Sequence, residues 1–167
     1  MEVITHQSDE MGGNPLDILE QIVVAELWPH DRAADEELHV TATGGWCDYH
    51  LTFSWRPDLE ALHVAVAFDV KVPVEKLGAV HQLLALVNEQ LWIGHFDLWS
   101  EDRLVMFRYG ALLNGGAPFT PEQAESLLRL AVEACERFYP AFQFVIWAGK
   151  SAREAVEACM FETEGEA

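Results

Sequence analysis

Trp46-Cys47-Asp48-Tyr49-His50-Leu51-Thr52-Phe53-Ser54-Trp55 alternates without a slip: Cys47, Tyr49, Leu51, Phe53 and Trp55 take one parity, and Asp48, His50, Thr52 and Ser54 the other. A period of two marks a strand with one face on a core and one toward water. The pattern returns beyond the turn residues Arg56-Pro57-Asp58, where Leu62, Val64, Val66 and Phe68 oppose His63, Ala65, Ala67 and Asp69. Two neighbouring strands therefore share one apolar face, the arrangement of an antiparallel sheet covered on one side.

Working outward, Glu37 to Thr43 reads as a strand joined to this pair through Gly44-Gly45, a turn expected to need positive φ. A short edge segment lies near Asp31 to Ala34. Asn14-Pro15 supplies an N-cap and a first-turn proline for a helix carrying Leu16, Leu19, Ile22, Val23 and Leu27, closed by Trp28-Pro29. Downstream, Pro73 opens a helix with an apolar stripe of Leu77, Val80, Leu83, Leu84, Val87 and Leu91. Ile93 to Trp99 and Arg103 to Leu113 form a strand pair around Ser100-Glu101-Asp102, and Asn114-Gly115-Gly116 ends the sheet. Thr120-Pro121-Glu122 starts a long helix, Pro140 marks a break before the apolar stretch ending at Trp147, and Ser151-Ala152-Arg153-Glu154 is a capping box for a last short helix.

The order α-β-β-β-β-α-β-β-α-α predicts an α+β fold, a single domain with a twisted antiparallel sheet flanked by helices. Its expected extent is 14–161, between a flexible tail at 1–13 and an acidic tail at 162–167.

Charge narrows the function classes. The chain has 28 Asp and Glu against 10 Lys and Arg, a formal charge of -18. Such a surface repels phosphate backbones and anionic lipids, so neither nucleic acid nor membrane is an expected partner. The longest apolar run, Ala141 to Ala148, is far short of a bilayer span. Met1 to Gly13 has neither the basic nor the apolar region of a secretory signal, and the expected location is cytoplasmic. Cys47, Cys135 and Cys159 are widely spaced without a CxxC pair, which predicts three reduced, mostly buried thiols, with Cys47 on the core parity.

The nucleophile elbow, zinc helix, phosphate loop and dinucleotide fingerprints are all missing. One constellation remains. Parity places Asp48, His50, His63 and Asp69 on the outer sheet face, and Phe96 and Leu98 on the core side leave His95 and Asp97 with them. A two-residue turn at Glu101-Asp102 would set His95 opposite Arg108 and Asp97 opposite Met106. Imidazoles and carboxylates together suit a metal or acid–base site. The plainer reading is a solvated face with Asp97 and Arg108 as a diagonal ion pair. The small residues Thr52, Ser54, Ala65 and Ala67 admit a third use, close approach of a second copy or a bound segment. Most of Trp46, Trp55, Trp92, Trp99 and Trp147 are expected in the core, with Trp99 on the outer face as the one at an interface.

Four stretches carry a resemblance: Asn14-Pro15-Leu16-Asp17; Trp46-Cys47-Asp48-Tyr49-His50; Leu91-Trp92-Ile93-Gly94-His95-Phe96-Asp97-Leu98-Trp99; and Tyr139-Pro140-Ala141-Phe142-Gln143-Phe144-Val145-Ile146-Trp147. Together they resemble the alphaproteobacterial branch of the YbjN-like family of bacterial sensory transduction regulators. The resemblance implies a type III secretion chaperone-like fold, usually dimeric, with no enzymatic activity and no catalytic residue to carry over. The expectation is a non-enzymatic regulator or chaperone-like adaptor that binds a protein partner as a homodimer and uses no cofactor or metal. Its candidate partner or dimer surface is Asp48, His50, Thr52, His63, Ala65, His95, Asp97, Trp99 and Arg108. The alternative is a small enzyme or metal-dependent protein built on the outer-face His and Asp residues.

Overall fold

In the computed structural model, which describes residues 13–164 and side chains through 161, the two alternating segments are central strands of a six-stranded antiparallel sheet. The elements are α1 (Pro15–Ala25), β1 (His30–Ala34), β2 (Glu37–Thr43), β3 (Asp48–Arg56), β4 (Ala61–Lys71), α2 (Leu77–Asn88), β5 (His95–Trp99), β6 (Leu104–Leu112), α3 (Pro121–Ile146) and α4 (Ala152–Glu164). Their order is the expected one, and the strands lie side by side as β1-β2-β3-β4-β6-β5. Residues 1–12 and 165–167, with most of the two expected tails, lie outside the described residues, and α4 carries helix through 162–164.

Local chemistry starts each helix. The Asn14 side chain accepts from the Leu16 amide, Thr120 and Gln123 form a reciprocal capping box, and Ser151 and Glu154 form another. At Pro73 the chain makes one 3-10 turn, Val74–Lys76, before α2 begins.

The core lies between the helices and one sheet face. Leu38, Val40, Tyr49, Leu51, Phe53, Val64, Val66 and Phe107 are buried there against Leu16 and Leu19 of α1, Val80 and Leu83 of α2 and Phe138 and Phe142 of α3. Phe96 is a hub: its ring meets those of Phe68, Phe107, Phe138 and Phe142 with centroids 5.5–5.9 Å apart, the edge-on and tilted spacing that aromatic quadrupoles favour. Cys135 and Cys159 are buried, whereas Cys47 precedes β3 and is only half-buried.

Three expectations are corrected. Pro140 does not break the last long helix: α3 is continuous for 26 residues. Proline removes one helical hydrogen bond, but Pro140 and its neighbours Tyr139, Ala141 and Phe142 are all buried, and this packing holds the helix through it. No tryptophan is fully buried; Trp46, Trp92, Trp99 and Trp147 are exposed and Trp28 and Trp55 half-buried. They stand at element ends, and a two-layer fold encloses only the middle of the sheet. Finally, Gly115 and Gly116 have positive φ, but Gly44 and Gly45 do not. Gly44 is required by close approach, because a Cβ there would enter the Glu136 carboxylate and the Tyr49 ring. The Glu136 carboxylate of α3 accepts from the Gly45 amide at 2.8 Å and tethers this turn to the helical layer.

Candidate functional site

Among the described residues no element covers the sheet face opposite the helices, and the register arranges that face in three transverse rows. Thr41, His50, Ala67, Met106 and Asp97 form one row, and Asp31, His39, Thr52, Ala65, Arg108 and His95 the next. Glu37, Ser54, His63 and Gly110 form the third. His95 stands opposite Arg108 and Asp97 opposite Met106, as the turn length predicts, although the last ladder pair is Trp99 with Leu104. Asp48, paired with Thr43, and Trp99, paired with Leu104 on the edge strand and 47% exposed, both lie beyond the first row at the same end of the sheet.

Arg108 ties one corner together. Its Nη1 donates to Asp97 Oδ2 at 3.3 Å and its Nε to His63 Nε2 at 3.4 Å, which makes the diagonal pair and requires a His63 that accepts at Nε2. Burial, then the Arg108 charge, then His95 hold the His63 pKa below its ordinary value. Asp97 Oδ1 also accepts from the Leu98 amide at 2.8 Å, so this carboxylate serves the strand that bears it.

A second cluster lies across the sheet. His39 meets Thr52 Oγ1 at 3.2 Å through Nδ1 and Glu37 Oε1 at 2.8 Å through Nε2, while Thr41 Oγ1 lies 3.4 Å from His50 Nδ1. His39, Glu37 and Thr41 were missed as surface residues, although the alternation of Leu38, Val40 and Ala42 with them carries the signal.

The structure thus brings His63, His95, Asp97 and Arg108 together and leaves His50 and Asp48 apart from them. His50 and His63 sit on adjacent strands two rows apart, about 14 Å by ordinary strand spacing. Among the described residues no three His, Cys, Asp or Glu side chains form a group able to hold a metal ion. The middle of the face is small and flat, with Thr52, Ser54, Ala65, Ala67 and Gly110 each lacking a long side chain. One guanidinium, Arg108, and four imidazoles stand among three carboxylates, Asp31, Glu37 and Asp97, in the three rows, on a chain whose formal charge is -18.

Among the described residues no helix is long and apolar enough to cross a membrane. No curated protein matches the chain. Among solved structures, the crystal structure of "YbjN, a putative transcription regulator from E. coli" is similar, at a TM-score of 0.53 and 12% identity, covering 88% of this chain and 93% of that one. Likeness at that identity shows a shared fold. The YbjN family model, described as "Putative bacterial sensory transduction regulator", matches residues 15–144. The family motif thus spans α1 to the end of the aromatic core segment in α3, and the chain belongs to the YbjN family.

Proposed function

We propose that this protein is a non-enzymatic cytoplasmic regulator or chaperone-like adaptor, of the alphaproteobacterial branch of its family and with a type III secretion chaperone-like fold. It works as a homodimer that recognises a protein partner. The observation that carries the dimer is the uncovered sheet face: flat and small-centred, with Arg108 and four imidazoles set among its three carboxylates, on a chain whose formal charge is -18. Two copies of so acidic a chain repel each other over most of their surface, and this face is where they approach at least electrostatic cost. The isologous contact sets Thr52, Ala65, His63, Arg108 and His95 at its centre, with Asp48, His50, Asp97 and Trp99 toward its margin.

Light scattering behind a sizing column at micromolar concentration tests this. A dimer mass is expected for the native chain and a monomer mass for Ala65→Lys, whose ammonium would stand at the centre of the face. Trp99→Glu is expected to weaken the dimer less. A native monomer would overturn the assignment, and so would an Ala65→Lys dimer of unchanged affinity.

A further inference from the structure

The helical layer holds a separate feature, a groove of about 420 Å³ between α1 and α3. Its apolar lining includes Ile22 of α1, Trp28 just beyond that helix, and Leu128 and Val132 of α3. Glu26, Glu125 and Glu133 line it with a single cation, Arg129, which lies 3.9 Å from Glu133. Among the described residues neither Glu26 nor Glu125 has an ion-pair partner. Glu125, Leu128, Arg129, Val132 and Glu133 follow one another at helical spacing over about 12 Å, the length of roughly two helical turns.

Leu27, between the lining residues Glu26 and Trp28, makes a second and independent observation. Its amide donates to Val24 and the Trp28 amide to Val23, the closure that usually places glycine at this position. Here the residue with φ 58° is a leucine, 87% exposed. A leucine in left-handed backbone is strained, and the fold gains no burial from its side chain. Val24, one turn back, is also exposed.

We infer that this groove binds the apolar face of a cationic amphipathic helix from another protein, with Leu27 closing over it and Lys or Arg flanks meeting Glu26, Glu125 and Glu133. This rests on the adaptor reading and names its partner's chemistry. The mode is helix-in-groove recognition, in which apolar anchors supply affinity and the charged rim selects the partner. The surface is distinct from the sheet face, so the two are tested separately.

The probe is a fluorescein-labelled helical peptide of about 15 residues, made of Leu and Lys with the leucines on one face. Two comparison peptides are used: one with Glu in place of Lys, and one of identical composition with the leucines scattered off a single face. Anisotropy at about 0.15 M salt is read with the full chain. The amphipathic Lys peptide is expected to bind roughly tenfold or more tighter than either comparison peptide. Glu26→Lys with Glu125→Lys is expected to lose about that factor, and Leu27→Gly, which relieves the backbone, to weaken binding while the fold is retained. Ala65→Lys, on the sheet face, is expected to bind the peptide as the native chain does. Equal binding of the scattered peptide would mean bulk charge attraction alone and would overturn the inference. So would absent binding, native affinity in the double-lysine variant, or loss of binding in Ala65→Lys. The light-scattering result on the native chain stands or falls independently of all of these.

Discussion

Replacing Asn88 with Leu removes the side chain that closes the free edge of β5. The Asn88 carboxamide accepts from the Phe96 amide at 2.7 Å and donates to the Phe96 carbonyl at 3.0 Å, so one side chain occupies both main-chain groups that point away from β6. A typical intramolecular hydrogen bond contributes about 1 kcal/mol net, and each buried group left bare costs about 1–3 kcal/mol. The site is part-buried and the Phe96 ring is enclosed, so water reaches the bared groups only partly. The expected loss is therefore about 2 kcal/mol. A leucine of similar size limits any cavity, which leaves the bonds as the main difference. Urea unfolding, followed by far-UV circular dichroism at a fixed protein concentration, reads the loss as a lower midpoint at unchanged slope. A second consequence follows from the edge itself. The Leu98 amide is already occupied by Asp97 Oδ1, so Asn88→Leu bares an amide and a carbonyl of β5 at which another strand could begin to pair, and slow concentration-dependent light scattering is expected. A loss below about 0.5 kcal/mol, with no added scattering, would refute the argument that this side chain closes the edge.

Gly44→Ala is expected to destabilise by about 1–3 kcal/mol, because its Cβ meets the Tyr49 ring, the Glu136 carboxylate and the Cys47 carbonyl; Gly45→Ala, which meets only the tip of Glu136, should cost far less, and equal thermal midpoints would contradict this. The depressed pKa of His63 means that its stabilising contribution is fully present above the ordinary histidine value of about 6.5 and is lost as pH falls through the folded-state value. His63→Gln should therefore flatten the loss of stability between about pH 7 and pH 5, and parallel unfolding profiles would show the coupling absent. Cys47, half-buried and with its thiol pKa raised by burial first, should react with a thiol reagent slowly but ahead of Cys135 and Cys159, and a simultaneous release of all three in native buffer would contradict the burial pattern.

Much of this molecule is written in local pattern. The period of two from Asp48 to Trp55 and from Leu62 to Phe68 set which side chains face the core, and a count through Glu101-Asp102 set the register that puts His95 opposite Arg108. The caps at Asn14, Thr120 and Ser151 were equally legible, since each is a contact within three residues. Parity, however, assigns a face and not a neighbour. It grouped His50 with His63, which the ladder separates by two rows, and passed over His39 until its partners on β3 were known.

Contacts across long sequence separations needed the assembled fold. The Glu136 carboxylate docks on a turn 91 residues earlier in the chain, which is why Gly44 is a glycine despite an ordinary φ. Pro140 lies in helix because its surroundings are buried, a tertiary gain that outweighs the lost hydrogen bond. The groove between α1 and α3 exists only where two helices written a hundred residues apart pack side by side, and Glu26 and Trp28, the neighbours of Leu27, line it through the same packing. Sequence by itself determined the elements, their ends and the two faces of the sheet, because dihedral preference, capping and alternation act over a few residues. Tertiary structure alone decided which polar groups converge, which aromatic rings stay in water and where a partner finds an apolar surface, because those depend on distances that the chain closes only on folding.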